Sequence, residues 1–173
     1  STMSSKRIAP AADALMETLQ EAGEVLQSLA SLYEQQLEAL RATDPESMEA
    51  RTTKIQERAT TLEDLNQKST RQARLLGRVV EEVPDEPSLQ GVVRVLRDGV
   101  APDLGDRLAE AQTAVAERAQ EVNQRRETLG LALEYAANLN HELLVAMQEA
   151  AKDTDGRTYT ANGQSEVGST DRS

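Results

Sequence analysis

His141 and Glu142 are the first residues to weigh for chemistry, because an imidazole beside a carboxylate is the raw material of a metal site or of proton transfer. A helical di-metal carboxylate centre needs Glu-x-x-His pairs on two helices, and this chain of 173 residues has one histidine and no such pair. It has no cysteine, hence no thiol nucleophile, no thiolate metal site and no disulfide framework. The acids Glu81 with Glu82 and Glu17 with Glu21 have the spacing of solvated helix faces. No Gly-rich phosphate loop, GxSxG elbow or HExxH helix occurs, and no alternating pattern supplies strands to present one. The expectation is a protein that is not an enzyme, takes no cofactor or metal, and acts by binding.

Binding points to another stretch. In LGLALEYAANLNHELLVAM, apolar residues accumulate outside a single helical seam: Leu131, Ala132, Tyr135, Leu139, Leu144, Val145 and Ala146 join Leu129, Leu133, Ala136, Leu143 and Met147. A two-helix seam needs only two positions per heptad, so this wider arc calls for more than one neighbour. Two readings stand open. A short helix over Ser88 to Asp98 and the N-terminal half of the first helix fold over the stripe, or the stripe is an exposed face that receives an amphipathic helix from a partner.

The elements that must position this stripe are read from proline and from leucine spacing. Pro10, Pro45, Pro84, Pro87 and Pro102 are expected between helices rather than inside them. From Ala11 to Ala42 the seam Leu15, Leu19, Ala22, Leu26, Leu29, Tyr33, Leu37 and Leu40 steps by three and four with a slip near Tyr33. Thr43 or Asp44 can cap a second helix that starts at Pro45 and runs to about Glu82. VPDEPS breaks the chain at 83–88, Ser88 caps the short helix, and Gly99 to Pro102 ends it. A third long helix then runs from about Asp103 to Lys152.

The resulting expectation is an all-α fold: an elongated antiparallel bundle of three long coiled-coil-like helices plus one short helix, as a helical domain over 1–152. A flexible tail over 153–173, rich in Asp, Thr, Gly and Ser, has little to bury. Aromatic content of 2%, with no Phe or Trp, implies a core of Leu, Val and Ala and removes the stacking platform of a nucleic-acid binder. The net charge of -11 repels phosphate backbones, so nucleic acid is not an expected partner. The N-terminus lacks the apolar core of a signal peptide and no stretch is expected to span a bilayer, which reads as cytoplasmic.

With these features in place the chain resembles the FlgN-type flagellar export chaperones. The likeness rests on the leucine-rich first helix, the turn LRATDPESMEARTTKIQE, the third helix around EVNQRRETLGLALEYAANLNHELL, and a tail with Thr158-Tyr159 and Asn162-Gly163. One departure is Asn123-x-x-Arg126, where the family pattern has a second Asn. The resemblance implies a chaperone that binds the C-terminal helical segment of hook-associated junction proteins, prevents their premature assembly, and delivers them to the type III export gate. It implies client binding at Leu129, Leu133, Ala136, Leu139, Leu143, Leu144 and Met147, and gate docking by Tyr159. The alternative is a coiled-coil scaffold or adaptor whose seams form homo-oligomers.

Overall fold

The computed structural model describes the backbone over residues 2–80 and 88–161 and the side chains over 6–80 and 88–153. Among these residues the chain is all-α: α1 (Thr2–Arg41), α2 (Pro45–Val79), the short α3 (Leu89–Val95) continued by a π-helical turn at Leu96–Val100, and α4 (Pro102–Ala161). Three long helices and one short one are as the periodicity predicts. The chain divides into two units, Ser1–Leu129 and Gly130–Ser173.

In the first unit, α1 and α2 form an antiparallel hairpin whose turn serves both helices at once. Asp44 N–H donates to Ala39 O at 3.0 Å and Thr43 N–H to Leu40 O at 3.1 Å, which closes the C-terminus of α1. This closure requires a left-handed residue at Thr43, where φ is 54°, although Thr43 is β-branched. Asp44 then caps α2: its Oδ1 accepts from Ser47 N–H at 3.2 Å and its Oδ2 from the Ser47 hydroxyl at 2.7 Å. Those hydrogen bonds, the side-chain one first, hold the Asp44 carboxyl below its ordinary pKa. Pro45 follows in the first turn, where its missing N–H costs nothing.

Two apolar clusters make the core of this unit. In one, Ile8, Leu15 and Leu19 of α1 meet Ala73, Leu76 and Val80 at the end of α2, Val92, Val93 and Leu96 at α3, and Leu108 of α4. In the other, Leu26, Leu29 and Ala30 of α1 meet Leu65 of α2 and Val122 of α4, with Tyr33 partly buried beside them. Leucine, valine and alanine, with Ile8, fill both, as the lack of aromatics demands.

Three features differ from the expected ones. Pro10 lies inside α1, not before it. Ile8, 1% exposed in the first cluster, anchors the turn ahead of the proline, and that burial offsets the hydrogen bond Pro10 cannot donate. The slip near Tyr33 rotates the buried face, so Leu32, Gln36 and Ala39 are buried instead of Leu37 and Leu40. Buried Gln36 donates through Nε2 to Met48 O and to Thr52 Oγ1, each at 3.0 Å across the hairpin, while its Oε1 is buried without a hydrogen-bond partner. The last difference is that α4 continues past Lys152 to Ala161. The VPDEP part of the expected break and the tail from 162 on lie outside the described residues.

α3 begins where Ser88 Oγ accepts from Gly91 N–H at 3.1 Å. Its π-helical turn closes with Ala101 N–H on Leu96 O at 3.0 Å, and Pro102 opens α4 directly after it. Gly105 makes that reversal possible: a Cβ there would stand 2.5 Å from the backbone nitrogen of Arg97, so only glycine admits the approach.

Candidate client-binding face

α4 carries one heptad seam along its length, and the surroundings of that seam change at Leu129. Leu108, Val122 and Leu129 are buried, whereas Leu133, Leu143 and Met147, later on the same seam, are exposed. Leu139 and Leu144 flank the seam at 52% and 58% exposure, and Leu131, Tyr135 and Val145 are exposed as well. From Gly130 to Ala151, α4 keeps the periodicity of a packed element while its large apolar side chains are exposed.

Heptad positions organise these residues. With Leu129, Ala136 and Leu143 at d, position a holds Leu133, Asn140 and Met147, position g holds Ala132, Leu139 and Ala146, and position e holds Ala137, Leu144 and Ala151. All four inward positions are apolar except Asn140, so the face is wide enough to pack beside more than one helix. Charge is confined to the outer positions. From Gly130 to Ala151 the ionised side chains are Glu134, Glu142 and Glu149, with no Lys or Arg among them.

α3 and the N-terminal half of α1 bury Val92, Val93, Leu96, Ile8 and Leu15 in the first core cluster together with Leu108. Of the residues expected to bind a client, Leu133, Leu139, Leu143, Leu144 and Met147 are exposed on one helix and Ala136 is half-buried there. Leu129 differs, being spent on the chain's own core. Tyr159 lies on the α4 backbone, but its side chain is outside the described residues.

Sequence periodicity missed one feature. Within the first unit α1 and α4 leave a groove of about 1170 Å³, lined by Met16, Leu19, Gly23, Ala109, Ala114 and Arg118 among others. Gly23 leaves room for Arg118, whose Nη1 would lie 3.2 Å from a Cβ at that position. The same groove is lined by Glu24, Asp106, Arg107, Glu110 and Glu117, a charged rim poorly suited to an apolar helix. Farther along, Arg125 pairs with Glu34 of α1 and with Glu121 at 2.9 Å on its own helix. These hydrogen bonds, chiefly that to Glu34, hold the guanidinium more firmly in its charged form. Arg125 ties α4 to α1 just before the seam becomes exposed.

His141 stands exposed on the outer side of α4. Among the described residues no group of three or more His, Asp or Glu is placed to hold a metal ion. Nor is any helix of those residues long and apolar enough to cross a membrane.

The architecture is a helical hairpin backed by a long third helix whose apolar seam continues beyond its last buried leucine. Comparison with curated proteins and with solved structures returned no match. The family model described as FlgN protein matches residues 3–166, nearly the whole chain. The chain belongs to the FlgN family of flagellar export chaperones.

Proposed function

We propose that this protein is a cytoplasmic chaperone that receives the C-terminal helical segment of hook-associated junction proteins on the 131–147 stretch of α4, prevents their premature self-assembly, and brings them to the export gate. One observation carries the reading: large apolar side chains stay exposed for about three heptads on a helix whose preceding seam is buried. Isolated helices owe most of their stability to packing of an apolar face, so a helix built this way is matched to a helical occupant. Leu133, Ala136, Leu139, Leu143, Leu144 and Met147 form the client face. Leu129 marks where the chain's own core ends. The acids outside the face favour a client helix with basic flanks.

The test is co-purification from a flagellated host with the intact junction proteins and with versions lacking their C-terminal segment. Retention of the intact client and loss of the truncated one is expected. Equal retention of both would refute the assignment of the client segment. Gate docking by Tyr159 is tested separately: Tyr159→Ala keeps client binding and loses gate binding, and export at the unchanged rate would remove Tyr159 from that role.

A further inference from the structure

The face between Gly130 and Ala151 has a second property that a client does not explain. Large and small residues alternate along it: Ala136 then Leu143 at d, Leu139 then Ala146 at g, and Ala137 then Leu144 at e. Such an alternation leaves projections and gaps of matching size on one surface. We propose that, free of client, this face pairs with the same face of a second copy, the two helices running antiparallel with residue i of one opposite residue 283 − i of the other, to within about two residues.

In that register the layers set large against small except at the centre, where Asn140 faces Leu143. Ala136 faces Met147 of the second copy, Leu139 faces Ala146, and Ala137 faces Leu144. Each pair occurs twice by symmetry. Asn140, the one polar residue on the face, falls near the symmetry axis, where a buried amide restricts the pairing to a single register at some cost in affinity. The pairing spans 132–151 and does not need Leu129, which is already buried.

Area and charge support the same occupant and the same direction. Leu133, Leu139, Leu143, Leu144 and Met147 are each between 41% and 59% exposed. Covering a large apolar side chain removes on the order of 100 Å² from water, so two copies bury about 1,000 Å², the lower bound of a specific interface. The chain's net charge is -11. Parallel pairing would set two acidic first units side by side and align the helix dipoles, whereas antiparallel pairing separates the charge and opposes the dipoles. A parallel pair would also set Ala136 against Ala136 and leave a gap in that layer.

The pairing stands without the client reading. Only its consequence rests on that reading: the second copy and the client helix compete for one face, so the free chaperone is covered until a client displaces its partner.

Sedimentation of the full chain at rising concentration is expected to shift from monomer to dimer. Leu139→Ala and Ala146→Leu, each changing one side of a matched pair, raise the dissociation constant at least tenfold, and the double swap returns it to within a few-fold of the original. Circular dichroism of each variant checks that helix content is kept. For direction, chains carrying Gly130→Cys and Ala151→Cys are mixed and oxidised. The protein has no cysteine of its own, and a Cβ at Gly130 meets nothing within 4 Å. Crosslinks between 130 and 151 are expected, and 130-to-130 crosslinks are not, those positions being about 35 Å apart in the antiparallel pair. A monomer at every concentration overturns the pairing even if a client is still retained. Dominant 130-to-130 crosslinks, or a double swap as weak as the single changes, overturn the antiparallel register. A dimer that retains no junction protein refutes the client assignment instead and leaves the pairing in place.

Discussion

Leu129 and Leu131, two residues apart on α4, go from 6% to 68% exposed. Both are leucines on one helix, so neither residue type nor helix propensity separates them. The second core cluster takes in Val122 of α4, and Leu129 is the last buried large apolar side chain of that helix among the described residues. This is where α4 passes from buried to exposed large apolar side chains.

Leu139→Glu and Leu144→Glu should leave the unfolding temperature and helix content of the protein nearly unchanged while lowering client affinity at least tenfold. Each side chain is half exposed in the free chain, and a charge in the covered face loses the gain of burial, about 1.5–3 kcal/mol per large side chain. Pull-down and thermal unfolding on the same preparations check this. Cooperative unfolding of either variant at a markedly lower temperature would place the leucine in the permanent core.

Leu76→Ala and Leu108→Ala should behave in the opposite way. Both side chains are fully buried in the first cluster, where α1, α2, α3 and α4 residues meet. Each substitution is expected to cost about 2–5 kcal/mol of stability, read from denaturant unfolding.

Thr43→Gly should stabilise the hairpin. The closing turn of α1 needs a left-handed residue, and Thr43 occupies it at φ 54°. Removing the β-branched side chain relieves a strain of about 1 kcal/mol, partly offset by the greater freedom of glycine in the unfolded chain. A higher midpoint in urea is the expected reading.

Gly105→Ala should destabilise, because the new methyl would press on the Arg97 backbone, with nitrogen at 2.5 Å and Cα at 2.7 Å. Backbone at both sides cannot step aside as a flexible side chain would, so a loss of about 1–3 kcal/mol is expected. Loss of amide protection should begin at α3 and the start of α4.

The Asp44 cap gives a pH signature. Hydrogen bonds from Ser47 lower the folded-state pKa below the ordinary value of 3.8, so the folded chain binds the proton less readily than the unfolded one. The stabilisation is therefore present above that ordinary value and is lost as the pH falls through the lowered one. Unfolding midpoints measured from neutral to strongly acid pH should show this loss, and Asp44→Asn should flatten it at the acid end.

Much of the fold could be read from local spacing. Seams of leucine stepping by three and four, Asp44-Pro45 at a helix start and Ser88 before a short helix are local patterns, and each produced the element it announced. The misses arose where packing overrode a local rule. Pro10 is helical because Ile8 ahead of it is buried, and Gln36 is buried while it donates to Met48 and Thr52 across the hairpin.

The sequence by itself determined the class of the protein: all-α, acidic, built on leucine seams, with an apolar stripe on its third long helix. These follow from residue identity and period, which every isolated segment carries. What only the tertiary structure decided is which stretch of that third helix is consumed by the fold. Leu129 and Leu133 are successive members of one seam with the same side chain, yet the first is buried and the second exposed, because burial is set by the packing of segments far apart in the chain and not by residue identity or period.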